Sequence, residues 1–151
     1  MDMASKDGDA NKPERISVRI KTAYPPSVNH YWRINRAGSG TRKVGVHVSP
    51  EGQAYRGIVM IDCIEQSVVN LMLKGRLKVH IKATRPDKRK RDLDNLLKAT
   101  LDALAYARVY EDDSQFDDIR ISWLPGIRHP GRLDILIEKQ GGKGVFHVEH
   151  H

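Results

Sequence analysis

Asp92, Asp94 and Lys98, with Asn95 among them, are residue types that handle phosphate esters, and they fall within seven positions of one another. Directly before them comes a dense basic run containing Arg85, Lys88, Arg89, Lys90 and Arg91. Guanidinium and ammonium groups hold phosphates. Carboxylates hold hard cations such as Mg²⁺ and Mn²⁺, which keep several waters and so need only two or three protein oxygens. A second acidic group, Glu111-Asp112-Asp113, follows one short helix later and offers a third carboxylate if the chain turns back. A metal held there could polarise a scissile phosphate and activate a water, and a metal pair could clamp the attacking and leaving oxygens. Lys98 could stabilise the pentacovalent phosphate or the departing oxyanion.

Spacing limits how these side chains can meet. Residues two apart inside a helix point in nearly opposite directions. Asp92 and Asp94 therefore converge only if Asp92 lies at the N-cap or on the extended approach while Asp94 opens the first turn. Pro86 blocks an earlier helix start, and aspartate is favoured at both positions. Lys98 is then four residues beyond Asp94 on the same face, and Asn95 three beyond Asp92. A plainer reading exists. Aspartate caps helix N-termini, and Asp94 with Lys98 is an ordinary i,i+4 ion pair. The basic run on one side and the acidic group on the other favour phosphodiester chemistry over that reading.

Elements to position these residues are visible in the pattern. Arg15 to Ala23 alternates as a strand, stopped by Tyr24-Pro25-Pro26-Ser27. Asn29 to Gly45 reads as a long polar and aromatic loop, followed by a short strand through Val44, Val46 and Val48. Ser49-Pro50 reads as a helix start. Ala54, Ile58, Ile61, Ile64, Val68 and Leu71 form the apolar face of a helix of about five to six turns closed by Gly75. Leu77 to Thr84 alternates as a strand into Arg85. The next helix runs from Asp92–Asp94 to about Tyr106, with Leu93, Leu97, Thr100, Leu101 and Leu104 as its buried stripe. Two last strands, through Ile119, Ile121 and Trp123 and through Leu133, Ile135 and Ile137, flank a turn at Pro125 to Gly131 and read as an antiparallel hairpin. The order β-α-β-α-β-β indicates one layered α+β domain over 15–140. Residues 1–14 and 141–151 read as flexible tails, and the final histidines are given no metal role.

Composition narrows the function classes. The chain has 151 residues, enough for one domain with a real core. Its 26 Lys and Arg against 19 Asp and Glu give a net charge of +7, which suits an anionic partner such as nucleic acid. The single cysteine, Cys63, excludes an intrachain disulfide and a cysteine metal cluster, which fits a reducing, cytoplasmic setting; it reads as core packing. No apolar run reaches membrane-spanning length, and no signal-peptide core opens the chain.

These residues together resemble the RusA family of Holliday junction resolvases, endodeoxyribonucleases of phages and prophages. The resemblance runs in order through Tyr24-Pro25-Pro26-Ser27-Val28-Asn29-His30-Tyr31-Trp32, Ser49-Pro50-Glu51-Gly52-Gln53-Ala54-Tyr55-Arg56, Arg91-Asp92-Leu93-Asp94-Asn95-Leu96-Leu97-Lys98-Ala99, Asp112-Asp113-Ser114-Gln115 and Gly131-Arg132-Leu133. It implies that Asp92, Asp94 and Asp113 bind Mg²⁺, or Mn²⁺ in its place, and that Lys98 is needed for cleavage. It also implies a homodimer that nicks two opposed strands of a four-way junction, whose two-fold symmetry matches a C₂ dimer. The chain departs from the family where glycine tends to follow the catalytic helix: Arg108 stands there.

The expected function is a metal-dependent endonuclease for four-way DNA junctions in recombination and repair. Phosphate contacts are assigned to Arg85, Lys88, Arg89, Lys90 and Arg91. Asn29, Tyr31, Trp32 and Arg33 are assigned to DNA, with the two aromatics either stacking on unpaired bases or packing in the core. Alternatives are a branched-DNA nuclease of broader specificity, a junction-binding protein without cleavage, and an α+β domain for another polyanion.

Overall fold

The computed structural model describes residues 17–35 and 45–140. The expected tails lie outside these residues, as do 36–44 of the expected loop. In chain order the elements are β1 (Ser17–Thr22), α1 (Val28–Tyr31), β2 (Trp32–Asn35), β3 (Gly45–Val48), α2 (Pro50–Glu65), β4 (Leu77–Arg85), α3 (Asp94–Tyr106), a 3-10 turn (Asp113–Gln115), β5 (Phe116–Ile127) and β6 (Arg132–Lys139).

Alternation builds the main sheet. Val18 and Ile20 in β1, Leu77, Val79, Ile81 and Ala83 in β4, and Leu133, Ile135 and Ile137 in β6 all enter one core beneath α2 and α3. The strand order is β1-β6-β4-β5. β6 runs antiparallel to both β1 and β4, while β4 and β5 are parallel. This corrects the expected final hairpin: β5 and β6 are not partners, because β4 lies between them. The connection 128–131 passes over the end of β4, where the Arg128 N–H donates to the Arg85 carbonyl at 2.9 Å. Parallel partners need a long crossover, and α3 supplies it.

The described part of the expected loop after β1 is instead a short helical turn and β2, which pairs antiparallel with β3, the short strand expected through Val46 and Val48, with Trp32 opposite Val48 and Ile34 opposite Val46. Ser49 fastens this hairpin to α2. Its N–H donates to the Tyr31 carbonyl at 2.8 Å, its hydroxyl donates to the His30 carbonyl, and that same oxygen accepts from Gly52 N–H at 3.0 Å as the helix N-cap. A Cβ at Gly52 would come within 2.6 Å of both the Tyr31 carbonyl and Val48 Cγ1, so only glycine permits this approach.

That contact also fixes the rotation of α2, and the rotation overturns the expected apolar face. Gly52, Tyr55, Val59 and Cys63 point inward, whereas Ile58, Ile61 and Ile64 are 47%, 56% and 56% exposed. The Tyr55 hydroxyl reaches the Ala23 carbonyl at 2.9 Å. Burial pushes the Cys63 thiol up to about 11, as expected of a packed rather than a reactive group. The helix is also shorter than expected. Ser67, Asn70 and Met72 adopt positive φ after it, and Val68 is buried from an irregular segment.

Helix α3 buries Leu96, Ala99, Thr100, Leu101, Ala103 and Leu104, so Leu93 and Leu97 of the expected stripe lie at its margin. Its end is a complete Schellman motif: Arg108 N–H donates to the Ala105 carbonyl at 2.9 Å and Val109 N–H to that of Leu104 at 3.2 Å. Arg108 occupies the left-handed position at φ 59°, where a Cβ is disfavoured. The segment after α2 clamps the turn through Asn70, Met72 and Leu73 N–H groups, which donate to the Ala107, Arg108 and Val109 carbonyls. Arg108→Gly should therefore stabilise the protein by about 0.5–1 kcal/mol, read as a higher urea midpoint with an unchanged slope.

Candidate active site

β4 delivers the basic run to one end of the sheet. There Tyr24 and Trp123 stack with centroids 6.4 Å apart, and the Arg85 and Arg91 guanidiniums lie 4.3 Å and 5.6 Å over the Trp123 and Tyr24 rings. Asp87 organises the loop between them. It accepts from Arg89 N–H at 3.0 Å and from the Arg91 guanidinium at 2.7 Å, and these two partners hold its carboxyl below the usual range. Arg85 and Arg91 are thereby tied down, while Lys88, Arg89 and Lys90 project into solvent. A cleft of about 270 Å³ opens beside them, lined by Tyr24, Arg89, Lys90, Arg91, Asp92 and Asn95. Tyr24 Oη and Arg91 Nε are buried without a hydrogen-bond partner.

Asp92 and Asp94 stand where the spacing argument requires. The Asp92 carbonyl accepts from Asn95 N–H at 3.2 Å, so the chain begins to wind at Asp92, and Asp94 is the first helical residue. Neither capping nor an ion pair accounts for these aspartates, although Asp94 lies in the first turn, where the helix dipole favours a carboxylate. The residue at the N-cap is Leu93, with no side-chain cap. Lys98 does not pair with Asp94; its ammonium lies 5.6 Å over the Trp32 ring. Asp62, Asp87, Asp102, Asp112, Asp117 and Asp134 all bind a donor within the chain. Among the described residues Asp92, Asp94, Asp113 and Asp118 have no such partner and are exposed.

A buried network backs Lys98. One turn further along α3, Asp102 accepts from the Tyr31 hydroxyl and from Arg56 at 2.8 and 3.0 Å, and Arg56 stacks 4.8 Å over Tyr106. Tyr31 meets Trp32 edge-on at 5.0 Å. Burial, followed by the bond to Asp102, raises the Tyr31 hydroxyl pKa above its ordinary value. Tyr31 is fully buried, so it packs in the core and is not placed to stack on a base. Trp32 is half-buried. Asn29, Trp32 and Arg33 instead line a second cleft, of about 560 Å³, with Val28, Ile34 and Val46. Ile34 and Val46 are the most exposed large apolar side chains among the described residues, and they pair across strands, Val46 from the expected short strand and Ile34 from what read as a loop.

Asp113 lies elsewhere. It opens the 3-10 turn that packs against α3 and leads into β5, at the end of the sheet opposite Asp92. Gln115 pins this turn from within. Its side-chain oxygen accepts from Glu111 and Asp112 N–H at 2.8 and 2.9 Å, and its amide nitrogen donates to the Leu73 and Gly75 carbonyls, both at 2.9 Å. Asp112 is consumed in capping: the Ser114 hydroxyl and then its backbone N–H hold its carboxyl below the usual range. Asp113 is left free. Among the described residues no three His, Cys, Asp or Glu side chains are close enough to hold one metal ion, so Asp113 does not join Asp92 and Asp94 within the chain.

The order of these features along the chain is matched by a known family. The model for Endodeoxyribonuclease RusA matches residues 23–138. This chain belongs to the RusA endodeoxyribonuclease family. It is similar to the crossover junction endodeoxyribonuclease rusA of Enterobacteria phage HK97, with 46% identity over 115 residues, 76% of this chain and 88% of that protein. The proteins of the same name from Enterobacteria phage 82 and Escherichia coli strain K12 are each 40% identical, over 84% and 82% of this chain and 98% and 96% of theirs. RusA-family endonuclease identity thus spans both ends of α3 and the Gln115 turn. Asp102, Gln115, Tyr24 and Trp123 were not singled out from the sequence as supports, although Asp102 follows Lys98 by the same four residues that separate Lys98 from Asp94. Replacing Gln115 with Leu should cost about 2–3 kcal/mol, since it strands one buried and three partly buried backbone groups, and thermal melting reads the loss directly.

Proposed function

We propose that this RusA-family enzyme resolves four-way DNA junctions by paired nicks, as a homodimer, in the cytoplasm, using Mg²⁺ with Mn²⁺ able to substitute. The observation that carries the reading is the pair of uncapped, unpaired carboxylates Asp92 and Asp94 beside a cleft walled by Arg89, Lys90 and Arg91. Two exposed carboxylates with waters suit the hard, incompletely dehydrated cations of this class. When bound, such a cation polarises phosphate and lowers the pKa of water. The carboxylate of Asp113 is assigned to the same cation set, although within one chain it stands apart.

The residues of the chain divide the remaining work. Lys88, Arg89 and Lys90 meet phosphates from solvent, while Arg85 and Arg91, braced on Trp123 and Tyr24, present fixed charge. The orphaned Tyr24 Oη and Arg91 Nε–H suit phosphate oxygens at the cleft. Lys98, held at Trp32 one turn past Asp94, offers its ammonium to charge developing on phosphate. Asn29, Trp32 and Arg33 give the second cleft a mixed apolar and polar wall suited to an unstacked base beside its phosphate. Among the described residues no helix is long and apolar enough to cross a membrane.

Asp94→Asn should reduce cleavage of a synthetic four-way junction by at least about 100-fold while leaving junction binding intact, as expected when transition-state rather than ground-state interactions are lost. Chelation should stop the wild type and Mg²⁺ restore it. Wild-type rates from Asp94→Asn, or equal cleavage of linear duplex, flap and junction, would reject the reading. Replacing Lys88, Arg89 and Lys90 together with Ala should flatten the plot of log affinity against log salt by about 2–3, at roughly 0.9 per phosphate contact.

A further inference from the structure

We infer that the face of the main sheet turned away from α2 and α3 holds a second DNA site, a groove between β1 and β4 that takes the phosphates of a junction arm. The inference rests on the reading of branched DNA as the substrate. Alternation sends Val18, Ile20, Val79 and Ile81 into the core, so Arg19, Lys21, His80 and Lys82 come out on the other face, with Asp134 and Leu136 of β6 between them. Register sets their order. Leu136 has Arg19 on one side and His80 on the other, and Asp134 has Lys21 and Lys82. β6 is therefore the floor of a groove of about 300 Å³, and β1 and β4, about 10 Å apart, are its walls.

Charge decides what the groove takes. The side chains of Arg19, Lys21 and Lys82 are exposed and have no hydrogen-bond or ion-pair partner among the described residues. Asp134, the carboxylate in the floor, also faces Arg132 at 3.6 Å. Three unpaired cations drawn together repel one another, and an anion between them relieves that cost. Along β1, Arg19 and Lys21 stand two residues apart, about 6.7 Å, so the wall meets anionic groups in series rather than one small ion. Leu136 gives the floor an apolar spot for sugar. Phosphate contacts of this kind position a duplex without reading its sequence. Both walls also run toward the active-site cleft. Lys21 is three residues before Tyr24, which lines that cleft beside Asp92, and Lys82 is three before Arg85, which opens the basic run. A backbone held in the groove thus leads to the cleft walled by Arg89, Lys90 and Arg91.

Salt-dependent binding and crosslinking test the groove. Lys21→Gln with Lys82→Gln should weaken binding of a four-way junction about tenfold and lower the slope of log affinity against log salt by about 2, at roughly 0.9 per phosphate contact. Lys74→Gln with Arg108→Gln removes the same charge from exposed positions outside the groove and should change the slope less than half as much. Equal losses from the two pairs reduce the effect to net charge and overturn the inference. Crosslinking reads position. Cys63, the single cysteine of the chain, is buried, so Lys21→Cys carries one reactive thiol for a photoactivatable group. That group should crosslink to a junction arm, and a label that reaches no DNA also overturns the inference. If the groove pair loses a polyglutamate chain and keeps the junction, the partner is an acidic polypeptide and the inference falls. Equal crosslinking to linear duplex, with no preference of the wild type for junctions, upholds the groove as a DNA site and rejects the branched-substrate reading instead.

Discussion

Because β4 and β5 run in the same direction, the chain that leaves β4 at Arg85 must return the whole length of the sheet before β5 can begin at Phe116. Helix α3 makes that return. Nearly every chemically distinctive residue of the protein lies on α3 or at one of its ends. The basic loop, Asp92 and Asp94 crowd its start, Lys98 and Asp102 follow along one face, and Arg108, Gln115 and Asp113 surround its exit. The parallel pairing thus creates two separate polar ends from one short stretch of sequence. A hairpin between β5 and β6 would have imposed no such separation.

Lys98 shows how the hydrophobic core reaches into that polar face. Its ammonium rests over Trp32, Trp32 meets the edge of Tyr31, and the Tyr31 hydroxyl is held by Asp102 and bridged to Arg56. Tyr31 in turn is anchored through its backbone carbonyl by Ser49, at the start of the helix that Gly52 allows to approach. Freed from Asp94, the ammonium is kept near its carboxylate without being neutralised by it. An ion pair between them would have been worth only a few tenths of a kcal/mol on an exposed helix face and would have occupied both groups. The aromatic contact places the cation while leaving the carboxylate open.

How much of this was legible in the sequence depended on whether one residue type answered to one structural demand. Alternation in β1, β4 and β6 was legible because each strand buries one face only. The Asp94 helix start was legible because Pro86 and the i,i+2 geometry left a single arrangement. The buried face of α2 was not, since Ile58, Ile61 and Ile64 keep helical spacing as well as Gly52, Tyr55, Val59 and Cys63 do. Packing against the Tyr31 carbonyl, a contact 21 residues distant in sequence from Gly52, decided between them. Strand partners were equally hidden. Ile119, Ile121 and Trp123 alternate identically whether the neighbour is β4 or β6, and only the crossover distinguishes the two. Of the two short strands bearing Ile34 and Val46, the second was legible from its alternating valines, whereas the first escaped, because four residues carry too little periodicity to stand out among basic ones.

Asp113 exposes a different limit. Its place before Ser114 and Gln115 is what carries the resemblance, and the bonds of Gln115 fix the turn that holds it. A sequence can nevertheless place a carboxylate on the chain without saying what it meets in space. The places where local rules are broken point the same way. Asp92 and Asp94 start a helix without capping it, Arg108 sits in a left-handed conformation suited to glycine, and Tyr24 Oη and Arg91 Nε are buried without partners. These departures lie at the two ends of α3, while others, such as the positive φ of Ser67 and the unpartnered Trp32 Nε1, lie elsewhere. Folded proteins tolerate such inconsistencies chiefly where function requires them.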